Sequence, residues 1–121
     1  IVATHALVQH SLNVAEEFVK EGIDIEVVDP RTLTPLDKET ILESVKKTGR
    51  LLVADEGNLT CGAAAEIAAI VAEEGIFYLK APIARVCSPD VPVPFSPPLE
   101  QAFIPDEKDL RPAVKRLMDY A

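Results

Sequence analysis

Tryptophan is absent from this 121-residue sequence, cysteine and histidine occur only twice each, and aromatic residues make up 5%. Two cysteines, Cys61 and Cys87, are too few for a disulfide framework and form no metal-ligand cluster. Each stands beside small or apolar residues, so both read as buried, reduced thiols in a reducing compartment, cytoplasmic or the mitochondrial matrix. No apolar run approaches membrane-spanning length, and no signal-peptide pattern precedes Ile1. Basic side chains are outnumbered, 12 Lys and Arg against 20 Asp and Glu, for a formal charge of −8. That balance argues against nucleic acid and against an anionic membrane surface, both of which are held through clustered Lys and Arg. It suits solubility or a basic protein partner.

What is present is the pattern of one α/β domain. Ile1-Val2-Ala3 reads as a strand cut short at its front, which leads to the expectation that further chain precedes it. Leu7, Leu12, Ala15, Phe18 and Val19 recur at helical spacing over Ala6–Glu21, and Gly22 stops that helix. Ile23–Val28 reads as a second strand, closed by Asp29-Pro30. Asp37 is placed to cap the next helix, with Leu36 and Ile41 as a hydrophobic staple across its start and Thr48-Gly49 at its end. Leu51–Ala54 is a third strand, apolar throughout as in a sheet covered on both faces. Asp55–Asn58 reads as a polar turn, Cys61–Glu74 as a small-residue helix ending at Gly75, and Ile83–Cys87 as a fourth strand. Ser88–Pro105 is crowded with proline and reads as an extended surface segment, before a last helix opening with a turn at Asp106 and regular from Asp109 to about Tyr120. Alternating strands and helices predict a three-layer α/β/α fold on a mainly parallel sheet, one domain over residues 1–121.

In such a fold ligands sit beyond the carboxyl ends of the strands. After the first strand comes Thr4-His5-Ala6-Leu7, with no glycine-rich loop to admit a pyrophosphate. A phospho-acceptor receiver would need an acidic pair where Thr4-His5 stands, although Asp55 sits where its acceptor would. His5 could face a cleft, but His10 lies about 140° further round the helix, so the two are poorly placed to share a metal. Asp55-Glu56 is the best polar cluster, able to meet a cation or a basic partner, or to cap the helix that follows. No constellation makes a catalytic, cofactor-binding or metal site.

The run Val28–Asp37, then Lys47–Val53, then Asp55-Glu56-Gly57, resembles the C-terminal domain of thiamine-diphosphate enzymes of the transketolase group. Ala81–Val86 and Pro92–Pro97 are similar to the E1 β subunits of 2-oxo acid dehydrogenase complexes, of the pyruvate, acetoin or branched-chain type. The resemblance implies a fragment lacking the upstream pyrimidine-binding domain, inactive alone but part of an enzyme. The whole enzyme would decarboxylate a 2-oxo acid, or cleave acetoin, and pass the acyl group to lipoyl-E2. Thiamine diphosphate and Mg2+ would be held elsewhere in it. The partners implied are the E1 α subunit, a second E1 β subunit and the peripheral subunit-binding domain of the E2 acyltransferase. Docking to E2 in the family uses the chain's last residues and an acidic residue before the Ala-Pro pair, where this sequence has Lys80. Partner-contact candidates are therefore Lys80, Asp119 and Ala121, with Asp55, Glu56 and His5 at the strand ends, and the Lys80 charge reversal puts that docking mode in question. His5 replaces the glycine usual after the first strand. The alternatives are the C-terminal domain of another thiamine enzyme such as transketolase, a free-standing flavodoxin-like binding module, and an enzyme in its own right.

Overall fold

The computed structural model describes residues 1–120. In chain order the elements are β1 (Val2–Ala3), α1 (Ala6–Val19), α2 (Lys38–Thr48), β2 (Leu52–Asn58), α3 (Ala63–Gly75), a 3-10 turn (Ile76–Tyr78), β3 (Ala84–Ser88), α4 (Pro97–Phe103) and α5 (Glu107–Met118). The strands form one parallel sheet in the order β1-β2-β3. Their side chains alternate between two apolar layers. Ala3, Leu52, Ala54 and Ala84 pack with Leu7, Val14 and Phe18 of α1 and Leu110, Val114 and Leu117 of α5. Val2 and Val53 pack on the opposite face with Ile41 and Val45 of α2 and Ala64, Ile67 and Val71 of α3. The result is the expected α/β/α sandwich. Burial of a side chain such as Phe18 or Leu7, each at most 1% exposed, stabilises it by about 1.5–3 kcal/mol.

Local signals set the helix ends. Asp37 Oδ1 accepts from the Thr40 amide at 3.1 Å, and Gly49 closes α2 in the left-handed conformation at φ 72°. A side chain at 49 would also strike the Lys80 stem, whose Cδ lies 2.8 Å from where a Cβ would stand. Asp106 and Asp109 form a reciprocal capping box at the head of α5.

Five expectations are corrected. Ile23–Val28 is not a ladder strand: it runs extended beside β1 and makes one parallel bridge, Val28 to Val2. β1 is only two residues long, so apart from that bridge the segment is held by single contacts, the Ile1 amino group donating to Glu26 O at 2.6 Å and the Ile23 amide to Phe18 O at 3.0 Å. Asp55–Asn58 is no free turn, because β2 continues to Asn58, with a bulge between the Asp55–Cys87 and Asn58–Ser88 pairings. Helix α3 starts at Ala63, two residues after Cys61, which is exposed and left-handed at φ 58°. The proline-rich segment contains a short helix, α4, since Pro97 and Pro98 fall in its first turn where a missing N–H costs nothing. Helix α5 begins at Glu107 and carries Pro112 within its regular span.

Candidate functional site

The chain path reverses direction in the sheet between β1 and β2. From β1 it passes through α1 to the extended segment at Val28 on one side, then through α2 to β2 on the other. The carboxyl ends of β1 and β2 therefore flank the switch point where open α/β sheets bind ligands. Thr4, His5, Asp55 and Glu56 all lie there. The structure brings together the residues picked out at the first and third predicted strand ends.

This end is occupied by the chain's own polar groups. The Thr4 hydroxyl donates to Asp55 Oδ1 at 2.5 Å, with both residues almost wholly buried. Glu56 Oε1 accepts from the Ala6 amide at 3.1 Å, so it caps α1 rather than the helix that follows it. A side chain at Gly57 would collide with Asp55 Oδ2, which lies 2.7 Å from a Cβ built there. Thr4 is the residue that sequence reasoning passed over. Its partner is 51 positions away, and only its place at a strand end signalled it.

Beside this pair lies a cleft of about 310 Å³ lined by Thr4, His5, Val8, Asp29, Pro30, Arg31, Thr32 and Leu33. His5 is exposed there and held at φ 50°, ψ −130°, a conformation that favours glycine. Arg31 is left-handed too, at φ 62°, and its Nε stands 3.0 Å from Asp29 Oδ2. Further along the same end, the Thr60 amide and hydroxyl both donate to Asp90, at 3.0 and 2.5 Å, and hold its carboxyl below the usual range. Burial, aided by the Asp55 charge, pushes the Cys87 thiol up, which makes it a poor nucleophile. His10 faces away on α1, against Glu107 of α5.

A thiamine diphosphate–Mg2+ pair does not fit this end of the sheet. Magnesium seeks free carboxylate oxygens, and diphosphate seeks free amides or cations. Here one oxygen of Asp55 accepts from Thr4, one oxygen of Glu56 accepts from the Ala6 amide, and Arg31 Nε pairs with Asp29. Among the described residues no group of three or more His, Cys, Asp or Glu is placed to hold a metal ion.

Lys80 and Asp119 lie at the opposite, amino end of the sheet, and both are exposed. The Lys80 amide donates to Gly49 O at 2.7 Å. The next residue, Arg50, donates from Nε to Leu117 O at 2.9 Å and from its guanidinium to Tyr120 O at 2.7 Å. Arg50 thus fastens the carbonyl end of α5 beside the Lys80 turn, a role not evident from its place after a helix-ending glycine. Ala121 lies outside the described residues.

The sequence model of the family described as "Transketolase, C-terminal domain" matches residues 1–110. The chain belongs to this family. The β subunit of acetoin:2,6-dichlorophenolindophenol oxidoreductase from Cupriavidus necator is 47% identical over 118 residues, 97% of this chain and 35% of that protein. The β subunit of the pyruvate dehydrogenase E1 component from Rickettsia felis is 45% identical over the whole chain, 37% of its own length. Among solved structures, a split-gene transketolase described as an inactive β4 tetramer superposes with a TM-score of 0.82 at 28% identity, over 98% of this chain and 37% of that one. The chain spans about a third of the length of these relatives. As a transketolase C-terminal domain it has the fold expected, and its relatives are β subunits of the dehydrogenase type.

Proposed function

We propose that this chain is the assembly domain of an E1 β subunit, building subunit contacts for a thiamine-dependent enzyme that decarboxylates a 2-oxo acid or cleaves acetoin. The observation that carries the reading is the match of nearly all of this chain to about a third of β subunits of that type, combined with a switch point whose Asp55 and Glu56 are tied to the chain's own groups. The domain contributes a rigid platform, and the cofactor chemistry belongs to other parts of the enzyme. Its partners are the E1 α subunit and a second β subunit, in the cytoplasm or the mitochondrial matrix. The amino end of the sheet, with Lys80 and Asp119, is the surface offered to the E2 component. Lys80 there lowers affinity for a basic E2 domain, because like charges facing each other at an interface are costly.

A chimera tests this. The 118 matched residues of the Cupriavidus necator β subunit are replaced by the corresponding residues of this chain and co-expressed with its partner subunit. Assembly with retained acetoin-dependent dye reduction is the expected result. A folded chimera that fails to associate would overturn the reading, as would turnover by the 121-residue chain alone.

A further inference from the structure

The strongest unexplained surface is an open groove of about 500 Å³ at the amino end of the sheet. It runs between the end of α3 and the segment leading into β3, and is lined by Ala72, Ile76, Leu79, Ala81, Pro82 and Ile83, with Lys80 as its one charged wall. Its rim is apolar and uncovered. Phe77 is 98% exposed, and Ile76 and Tyr78 are about half exposed. Hydrophobic side chains scattered singly on a surface need no explanation, but three in a row beside an apolar groove mark an interaction site.

The charges around the groove say what kind of partner it fits. Lys80 makes no ion pair among the described residues, and its stem lies over Gly49. Lys46 makes none either. Its ammonium stands 5.3 Å from the centre of the Tyr78 ring, at the same rim. The acids of neighbouring α3 are turned elsewhere: Glu74 pairs with Lys38 at 2.9 Å, and Glu73 also acts on Lys38. The whole chain is strongly acidic, and Glu43 stands about one helical turn before Lys46, but charges beyond about 8 Å are screened at physiological salt, and Lys80 and Lys46 are the cations beside the groove.

We infer that this groove docks an extended acidic segment of a partner protein, with a carboxylate against Lys80 and Lys46 and a bulky apolar side chain over Phe77 and Ile83. The inference rests on the assembly role proposed above only in treating this end of the molecule as a docking face. It inverts the charge expected of the partner.

The test uses the full 121-residue chain and a fluorescein-labelled peptide in which a Leu-Phe pair is flanked by glutamates, read by anisotropy. A control peptide carries lysines in place of the glutamates. The glutamate peptide binds about tenfold more tightly than the lysine peptide, and raising the salt from about 0.05 to about 0.3 M narrows that gap. Lys80→Gln, which keeps the packed stem, weakens binding about fivefold, and Lys80→Glu reverses the preference between the peptides. Phe77→Ser, at a side chain that touches nothing in the fold, weakens both. Absence of binding, equal or tighter binding of the lysine peptide, or indifference to Lys80→Gln would each overturn the inference. So would concentration-dependent self-association that Phe77→Ser abolishes, since the occupant would then be a second copy of the chain. None of these outcomes bears on whether the chimera assembles, so the two readings fail separately.

Discussion

At the scale of single residues, the switch point shows how one hydroxyl settles a buried carboxylate. Asp55 is 5% exposed and Thr4 supplies its side-chain hydrogen bond at 2.5 Å. Removing the donor while keeping the shape leaves the acceptor short of a partner, so Thr4→Val destabilises the chain by about 1–3 kcal/mol, read from urea unfolding at neutral pH. Thr4→Ser, which keeps the hydroxyl, recovers most of that loss. His5 beside it runs the opposite way. Its backbone at φ 50°, ψ −130° costs about 1–3 kcal/mol for a residue with a Cβ, against roughly 1 kcal/mol of unfolded-state entropy that a glycine would add. His5→Gly is therefore net stabilising and raises the urea midpoint. A lowered midpoint would mean that the imidazole makes a stabilising contact large enough to outweigh the strain. The departure from glycine at this position was readable in the sequence, but its cost became visible only with the dihedral angles.

At the scale of elements, legibility followed the range of the interactions. Helix α2 was read nearly to the residue because its cap, staple and terminating glycine all lie within its own span. The segment Ile23–Val28 has the composition of a strand, yet strand formation needs a partner backbone, and β1 offers it a single bridge. The prolines before α5 were read by their usual effect, although Pro97 and Pro98 sit where a helix tolerates them. The Asp55-Glu56 pair was legible as a polar cluster, whereas its hydrogen bonds to Thr4 and Ala6 depend on contacts about fifty residues apart. The pairing of α1 with α5 was equally hidden. Glu17 binds Arg111 through two hydrogen bonds of 2.6 and 2.7 Å, and Glu107 accepts from Asn13 at 2.8 Å. His10 Nδ1 stands 2.9 Å from Glu107, near enough for an ion pair though poorly aligned as a hydrogen bond. His10 first, then Asn13, hold the Glu107 carboxyl down from 4.5 to about 2. A depressed carboxylate contributes its stability above its unfolded value and loses it as pH falls through the folded one. Unfolding free energy therefore declines as pH drops from about 4.5 toward about 2, and Glu107→Gln flattens this part of the profile, with Glu17 still contributing a slope of the same sign. An unchanged profile in the variant would show that the Glu107 carboxylate adds nothing to the hold between the two helices.

At the scale of the whole molecule, the two ends of the sheet are built differently, and the difference decides what each can do. At the carboxyl end, where a related topology would receive a ligand, Asp55 and Glu56 are tied to Thr4 and the Ala6 amide beside a cleft of about 310 Å³. The amino end keeps an apolar groove and two ammoniums without ion pairs among the described residues. A platform domain needs this arrangement: rigidity where its own chain turns, and exposed recognition chemistry where partners arrive. The contrast can be measured through ligand-linked stability. A ligand at about a hundred times its dissociation constant adds about 2.7 kcal/mol to the folded state. In a domain of this size that raises the melting temperature by several degrees, since about 1 kcal/mol corresponds to some 3–6 °C. Thiamine diphosphate with Mg2+ at millimolar concentration therefore leaves the melting temperature of this chain unchanged within about 1 °C, because among the described residues no group of three or more His, Cys, Asp or Glu is placed to hold the metal ion. The chain joined to the remaining two-thirds of a relative's β subunit and its partner subunit shows the full upward shift. A shift of several degrees in the chain alone would mean that the Thr4–Asp55 closure opens for a ligand, and the platform reading would give way to a binding one.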